Sequence, residues 1–362
     1  MLKRMGRRLL SLLAPLFLFA VAACSSDASP SDALTGGVPY DGGGAHDASD
    51  ARSSTPPPPP SDGGTVLPPA DGGTTVDAGP PTPQGCVTDV SAGDHVYTCN
   101  GLKVDARIPA ACEAPGCGLI LELHGDTGTG LLMDGHVTLR DRGQANGFVV
   151  LAPTGPPFGG QPGSTWSSSN DASLVAMVQT FASVFRVNAK KIHVAGFSRG
   201  GFVTWRLICD HSDLFASASP GGAGDGTNFG EETCFTAGRA PTRKMPILLL
   251  MGRTDASVGY ASMTTIRDAA IQAYGVTGPT TLAQDASYRH DQWTAAGGLV
   301  FETLDHAYET VSPGPWDTAK GHCIPGSPSN PQAPQYAIPC KLPNAFAWGE
   351  EIMKFFLAHP MP

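Results

Sequence analysis

The sequence predicts an α/β fold, a mostly parallel central sheet covered by helices on both faces. Three observations carry this. Short apolar runs alternate with segments of helical spacing. The longest such stretch of chain follows a break in composition near residue 86. One run, 191–196, ends in a glycine-framed turn that leads straight into a helix. Apolar runs of this kind fit strands buried on both faces, and strands separated by helices pair in parallel.

The elements follow in order. Residues 86–108 read as an initial antiparallel hairpin. Residues 118–124 (GLILELH) and 148–152 (FVVLA) are buried strands, the second stopped by Pro153. Residues 173–185 carry apolar side chains at Leu174, Met177, Val178, Phe181 and Phe185, the spacing of a helix. The strand at 191–196 (KIHVAG) leads into a helix over 200–209. Residues 215–219, 245–251 and 299–304 give three further strands, and 344–359 closes the chain as an amphipathic helix.

The N-terminal 85 residues belong to a different class. Lys3, Arg4, Arg7 and Arg8 precede an apolar run over 9–20, as in an export signal. Ala22-Ala23-Cys24 resembles the bacterial lipoprotein site, in which the cysteine is lipidated and becomes residue one. Ser25, rather than Asp, matches outer-membrane sorting. The expected location is the bacterial cell envelope or surface. Residues 24–85 are rich in Pro, Gly, Ser and Asp, with a polyproline run at 56–60. Such a segment cannot bury enough apolar area to offset its ordering entropy, and reads as a tether. Its Asp-Gly-Gly repeats at Asp41, Asp62 and Asp71 are too sparse in acid for calcium loops. No apolar stretch beyond the signal is long enough to span a bilayer.

Charge and cysteines narrow the class. A net charge of -9 gives no basic footprint for nucleic acid. Of nine cysteines, Cys24 is assigned to lipid. The even remainder in an exported chain suggests disulfides. Nearest-neighbour pairing is the simplest arrangement: Cys86–Cys99, Cys112–Cys117, Cys209–Cys234 and Cys323–Cys340. The absence of Cys-x-x-Cys or a His-rich run argues against a metal site. A monomer is expected.

Gly196-Phe197-Ser198-Arg199-Gly200 fits G-x-S-x-G between a strand and a helix. This is the arrangement of a nucleophile elbow, where small residues two before and two after the serine avoid a clash. A serine needs a base, and the base a carboxylate that orients it. In α/β-hydrolases these follow in the order Ser, acid, His. Asp255 stands just past the strand 245–251, on the rim that carries the elbow. Two histidines follow the last strand, His306 and His322. His322 has a glycine before it and a cysteine after it that can staple its loop, which favours it as the base. The oxyanion needs amide donors: one from Arg199, the other from the loop His124-Gly125-Asp126-Thr127, with Asp126 the candidate. His124 precedes the elbow and is expected to be structural. Thr127 and Trp166 are candidate substrate-binding residues.

These residues resemble the secreted polyhydroxybutyrate depolymerase and feruloyl esterase group of α/β-hydrolases. The resemblance spans most of 95–326. It includes Leu123-His124-Gly125, Trp166 and Asp171, and Val187-Asn188-x-x-Lys191-Ile192. It continues through Gly196-x-Ser198-x-Gly200-Gly201 and Gly252-x-x-Asp255 to Gly321-His322-x-x-Pro325-Gly326. It implies the α/β-hydrolase fold and cofactor-free hydrolysis of extracellular carboxylic esters by Ser198, Asp255 and His322. The chain departs from the group at Arg199 and Ile324, where relatives often have a small or apolar residue and Trp. A serine peptidase of the same fold would usually add a propeller or lid domain, for which the chain has no room. An inactive binding module on the same scaffold would typically lose a member of the triad, and all three are present.

Overall fold

The structure, a computed structural model, describes residues 79–160, 163–311, 320–328 and 339–362. The expected export signal, the candidate lipidation site Cys24 and the expected tether up to residue 78 lie outside the described residues. No described helix is long and apolar enough to cross a membrane.

Ten strands form one sheet: β1 (Gly93–Cys99), β2 (Leu102–Ile108), β3 (Gly118–Leu123), β4 (Phe148–Thr154), β5 (Ile192–Phe197), β6 (Ser217–Gly221), β7 (Ile247–Gly252), β8 (Thr277–Gln284), β9 (Tyr288–Thr294) and β10 (Val300–His306). Their order is β1-β2-β4-β3-β5-β6-β7-β10-β9-β8. The run from β4 to β10 is parallel throughout. An antiparallel hairpin flanks it on each side. This sheet order, with an elbow after β5, is an α/β-hydrolase fold. The expected hairpin at 86–108 is β1–β2, turned by Asn100 and Gly101, both at positive φ.

Every residue of β3, β5 and β7 is buried. Along β3, Leu119, Leu121 and Leu123 join the larger apolar cluster on one face, and Ile120 the smaller one on the other. That is why these strands read as continuous apolar runs. Six helices are described: α1 (Gly130–Val137), α2 (Leu139–Ala145), α3 (Asp171–Val184), α4 (Arg199–Asp210), α5 (Tyr260–Tyr274) and α6 (Trp348–Ala358).

Three expected disulfides are formed: Cys86–Cys99, Cys112–Cys117 and Cys323–Cys340. The fourth is corrected. Cys209, near the end of α4, and Cys234 are both buried free thiols. Proximity along the chain does bring this pair together, but as thiols packed against the core rather than as a bond.

Candidate active site

The elbow is built by close approach of backbone. A Cβ on Gly196 would stand 2.3 Å from the Gly200 carbonyl oxygen, and one on Gly200 would stand 2.2 Å from that of Leu123. Ser198 sits between them at φ 56° and ψ -119°, a conformation that costs a non-glycine residue about 1–3 kcal/mol. Its N–H donates to the Gly221 carbonyl at 2.8 Å, and its own carbonyl accepts from Phe202 at 3.0 Å, opening α4. The hydroxyl therefore stands at the C-terminal rim of the sheet, at the positive end of a helix.

Asp255 and His322 reach the same rim. Asp255 lies three residues beyond β7. Its Oδ1 accepts from the amides of Ser257 and Val258, each at 2.9 Å, and its Oδ2 accepts from His322 Nδ1 at 2.6 Å. Burial alone would raise this carboxyl. The facing imidazole, its hydrogen bond and the two amides outweigh burial and hold it below its ordinary value. With Nδ1 donating to a carboxylate, His322 keeps Nε2 free to accept a proton. Gly321 is required by approach rather than by a turn: a Cβ there would lie 2.7 Å from the Asp255 nitrogen. The Cys323–Cys340 bridge fixes the loop one residue after the histidine.

The His322 ring packs on Phe197 at 4.8 Å between centroids and lies over Gly222, next to the Gly221 carbonyl that receives the Ser198 amide. Ser198 Oγ makes no hydrogen bond to His322 among the described residues. Such contacts are commonly loose until substrate tightens them.

His306 is placed elsewhere. It ends β10, is 1% exposed, and stacks on Tyr308 at 5.4 Å. Burial pushes its pKa down to about 4, and its Nδ1 has no partner. Its ring lies near Cys323 and Cys340, but their sulfurs are joined to each other and offer no thiolate to a metal.

The loop after β3 borders the serine on the other side. A Cβ on Gly125 would lie 3.1 Å from Ser198 Cβ. His124 is buried and structural: its Nε2 accepts from the Gly155 amide at 3.0 Å, so Nδ1 carries the proton and donates to the Gly125 carbonyl at 2.7 Å. Burial lowers its pKa to about 4, which keeps the ring neutral. Among the described residues the backbone amides of Asp126 and Arg199 donate to no other group, so neither is committed elsewhere.

Trp166 is a correction. It is 2% exposed and gives its Nε1–H to the His124 carbonyl at 2.9 Å. It therefore supports the loop from beneath and offers no face to a substrate. Thr127 sits at φ 64° with its hydroxyl bonded to the Asp126 carbonyl at 2.6 Å, while its neighbours Asp126 and Gly128 line the cleft. That cleft has a cavity volume of about 40 Å³ and is walled by Leu132, Met133, Phe197 and Ile324. The role of Phe197 in packing the histidine escaped sequence reasoning, although its place inside the G-x-S-x-G motif was a usable signal.

No family model matches the sequence. Among curated proteins, "Putative esterase NocK" of Nocardia uniformis subsp. tsuyamanensis is 25% identical over 259 residues, covering 67% of this chain and 71% of that protein. Solved structures with a likeness include the acetyl xylan esterase from Aspergillus awamori, at TM-score 0.46 and 20% identity over 61% of this chain and 92% of that one. The Bacillus cereus carboxylesterase matches at TM-score 0.38 and 14% identity over 48% and 81%. By its own sheet order and elbow the chain is an α/β-hydrolase in fold, and in sequence it is similar to an esterase.

Proposed function

We propose that this protein is a serine carboxylic-ester hydrolase acting through an acyl-enzyme. The observation that carries the reading is the Asp255–His322 pair meeting the Ser198 elbow on one rim of the sheet. Ser198 Oγ attacks the ester carbonyl carbon while its proton passes to His322 Nε2. The carbonyl oxygen becomes an oxyanion and accepts from the amides of Arg199 and Asp126. When the tetrahedral centre collapses, the C–O bond to the alcohol breaks and His322 returns the proton to the leaving oxygen. Water then repeats the sequence on the acyl-enzyme and releases the acid. Asp255 stays ionised and stabilises the imidazolium formed in each half.

The substrates we propose are extracellular esters, either of the polyhydroxyalkanoate type or the acetyl and feruloyl esters of polysaccharides. The cleft beside the loop after β3 is walled by the apolar side chains of Leu132, Met133, Phe197 and Ile324, which supports an ester with an apolar part. The test is hydrolysis of p-nitrophenyl acetate, butyrate and octanoate beside methyl ferulate and polyhydroxybutyrate films. At least one of these esters should be turned over, and a Ser198→Ala protein with an unchanged melting profile should lose about 10⁴-fold or more in turnover. Retained turnover in that variant would falsify the mechanism, and a wild-type protein that turns over none of these esters would overturn the substrate reading. The N-terminal sequence supports export with a lipid on Cys24. Mass spectrometry of the N-terminal peptide from the native host should find acyl groups, and an unmodified Cys24 would refute the anchor.

A further inference from the structure

The two residues proposed to give their amides to the oxyanion are joined through their side chains. Arg199 Nε donates to both carboxylate oxygens of Asp126, at 3.2 Å each. Its Nη1 donates to Glu231 Oε1. Glu231 Oε2 in turn accepts from Arg206 Nη1 at 2.5 Å. Arg206 ends the series on Asp171 through Nε at 2.7 Å and Nη2 at 2.9 Å. Thr165 Oγ1 also donates to Asp126 Oδ1. Charges alternate along Asp126–Arg199–Glu231–Arg206–Asp171. The series links four parts of the chain: the loop after β3, the elbow helix α4, the segment before β7 and the first turn of α3.

This placement excludes the obvious alternative, that Arg199 recognises an anionic substrate. Its side chain is only 15% exposed, and two carboxylates already occupy its fork. What it does hold is the Asp126 loop, a tight turn in which the Gly128 amide donates to the Gly125 carbonyl at 3.1 Å and Thr127 takes a positive φ. Such a turn can shift by an ångström at little cost, whereas an oxyanion donor displaced that far loses most of its effect. A guanidinium fixed on both sides loses little further freedom in gripping it.

We propose that the Arg199–Asp126 ion pair is a positioning device for the oxyanion hole, setting the separation of the two backbone donors by tying the side chains of the residues that carry them. The proposal rests on the serine-esterase reading. Both side chains act through amides that remain in any variant, so mutation moves the donors without deleting them.

The test uses Asp126→Asn, Arg199→Met and the double variant of the full chain, with kcat and KM on p-nitrophenyl acetate and the inhibition constant of an alkyl boronic acid. The expected result is a 10- to 100-fold fall in kcat for each single variant with KM within threefold. Boronate affinity should fall in parallel with kcat, and the double variant should be no worse than the poorer single. Arg199→Lys should recover part of the loss. If Arg199→Met does not melt cooperatively, Thr165→Val, which removes only the hydroxyl bond to Asp126, should still lower kcat severalfold at constant KM. Singles within twofold of wild type, or a raised KM at unchanged kcat, would overturn the clamp. Wild-type protein that neither hydrolyses these esters nor is labelled at Ser198 by an organophosphate would instead remove the esterase reading beneath it.

Discussion

At the scale of single residues, the site is a set of histidines given different tasks by their surroundings. His322 faces a carboxylate with one nitrogen and leaves the other open. His124 has both nitrogens committed to backbone and can only be neutral scaffold. His306 is packed behind the site with Nδ1 unpartnered. Glu122, wholly buried at the end of β3 with neither oxygen bonded, is a similar case: burial first, then nearby Asp134, raise its pKa well above the ordinary value and keep it protonated. The contrast between His322 and His306 yields a sharp expectation. His322→Ala should lower kcat on a short p-nitrophenyl ester by several orders of magnitude while leaving the melting temperature near wild type. His306→Ala should keep turnover within about tenfold and lose about 1–3 kcal/mol of stability through the cavity it leaves. The opposite ranking of turnover would make His306 the base and reduce the 322 loop to a structural feature.

At the scale of elements, legibility followed burial. The strands β3, β4, β5, β7 and β10 are buried along nearly their whole length, so apolar residues dominate their sequences and declare them, although Glu122, His193 and Glu302 are buried among them. The hairpin β8–β9 escaped notice because β8 is almost wholly exposed and carries Thr, Gly and Pro in place of an apolar alternation. Two register shifts break its pairing further. Helix α5 was readable in principle, since Met263, Ile266, Ala270 and Tyr274 form its buried face. Ser198 was legible because the elbow demands small residues at fixed offsets. Asp255 was legible because a parallel strand delivers its C-terminal end to the rim. The choice between His306 and His322 was only partly so: both follow the last strand, and side-chain direction is set by packing that spacing does not encode. Trp166 shows the reverse failure, since a conspicuous aromatic in a loop turned out to be a support beam beneath the His124 carbonyl. The partners of Arg199 were not legible at all. Glu231 lies 32 residues further on, in a segment with no periodicity, and only the fold brings the two together.

At the scale of the whole molecule, the sheet divides the interior into two apolar clusters, and polar groups caught inside them make stability depend on pH. Burial is the largest influence on four histidines: it takes His124, His136 and His306 down to about 4 and His193 to about 3. In the unfolded chain each titrates near the ordinary value of about 6.5. Between those limits the unfolded state binds more protons than the folded one, so stability is full above about pH 6.5 and is lost as pH falls toward 4. One such histidine contributes up to about 2 kcal/mol between pH 7 and pH 5. The four act in the same direction, and even part of their sum is a sizeable share of an ordinary domain's stability of about 5–15 kcal/mol. Buried acids with raised values, Glu122, Asp134 and Asp305, act in the opposite sense and offset part of this. Asp255 and Glu302, held low, withdraw their contribution only at still lower pH, below about 4. The net expectation is acid weakening well above the carboxylate range. Urea unfolding midpoints at pH 7 and pH 5 measure it directly, and a fall of about 1–3 M is expected. His193 is the natural control: packed on Phe356 at 4.6 Å with its Nε2 unpartnered, it loses its titration in His193→Gln without losing the Ser217 contact at Nδ1 as a place for an amide. That variant should shrink the difference between the two midpoints. A wild-type midpoint that is unchanged or higher at pH 5 would mean that the buried acids, not the histidines, govern the acid response of this fold.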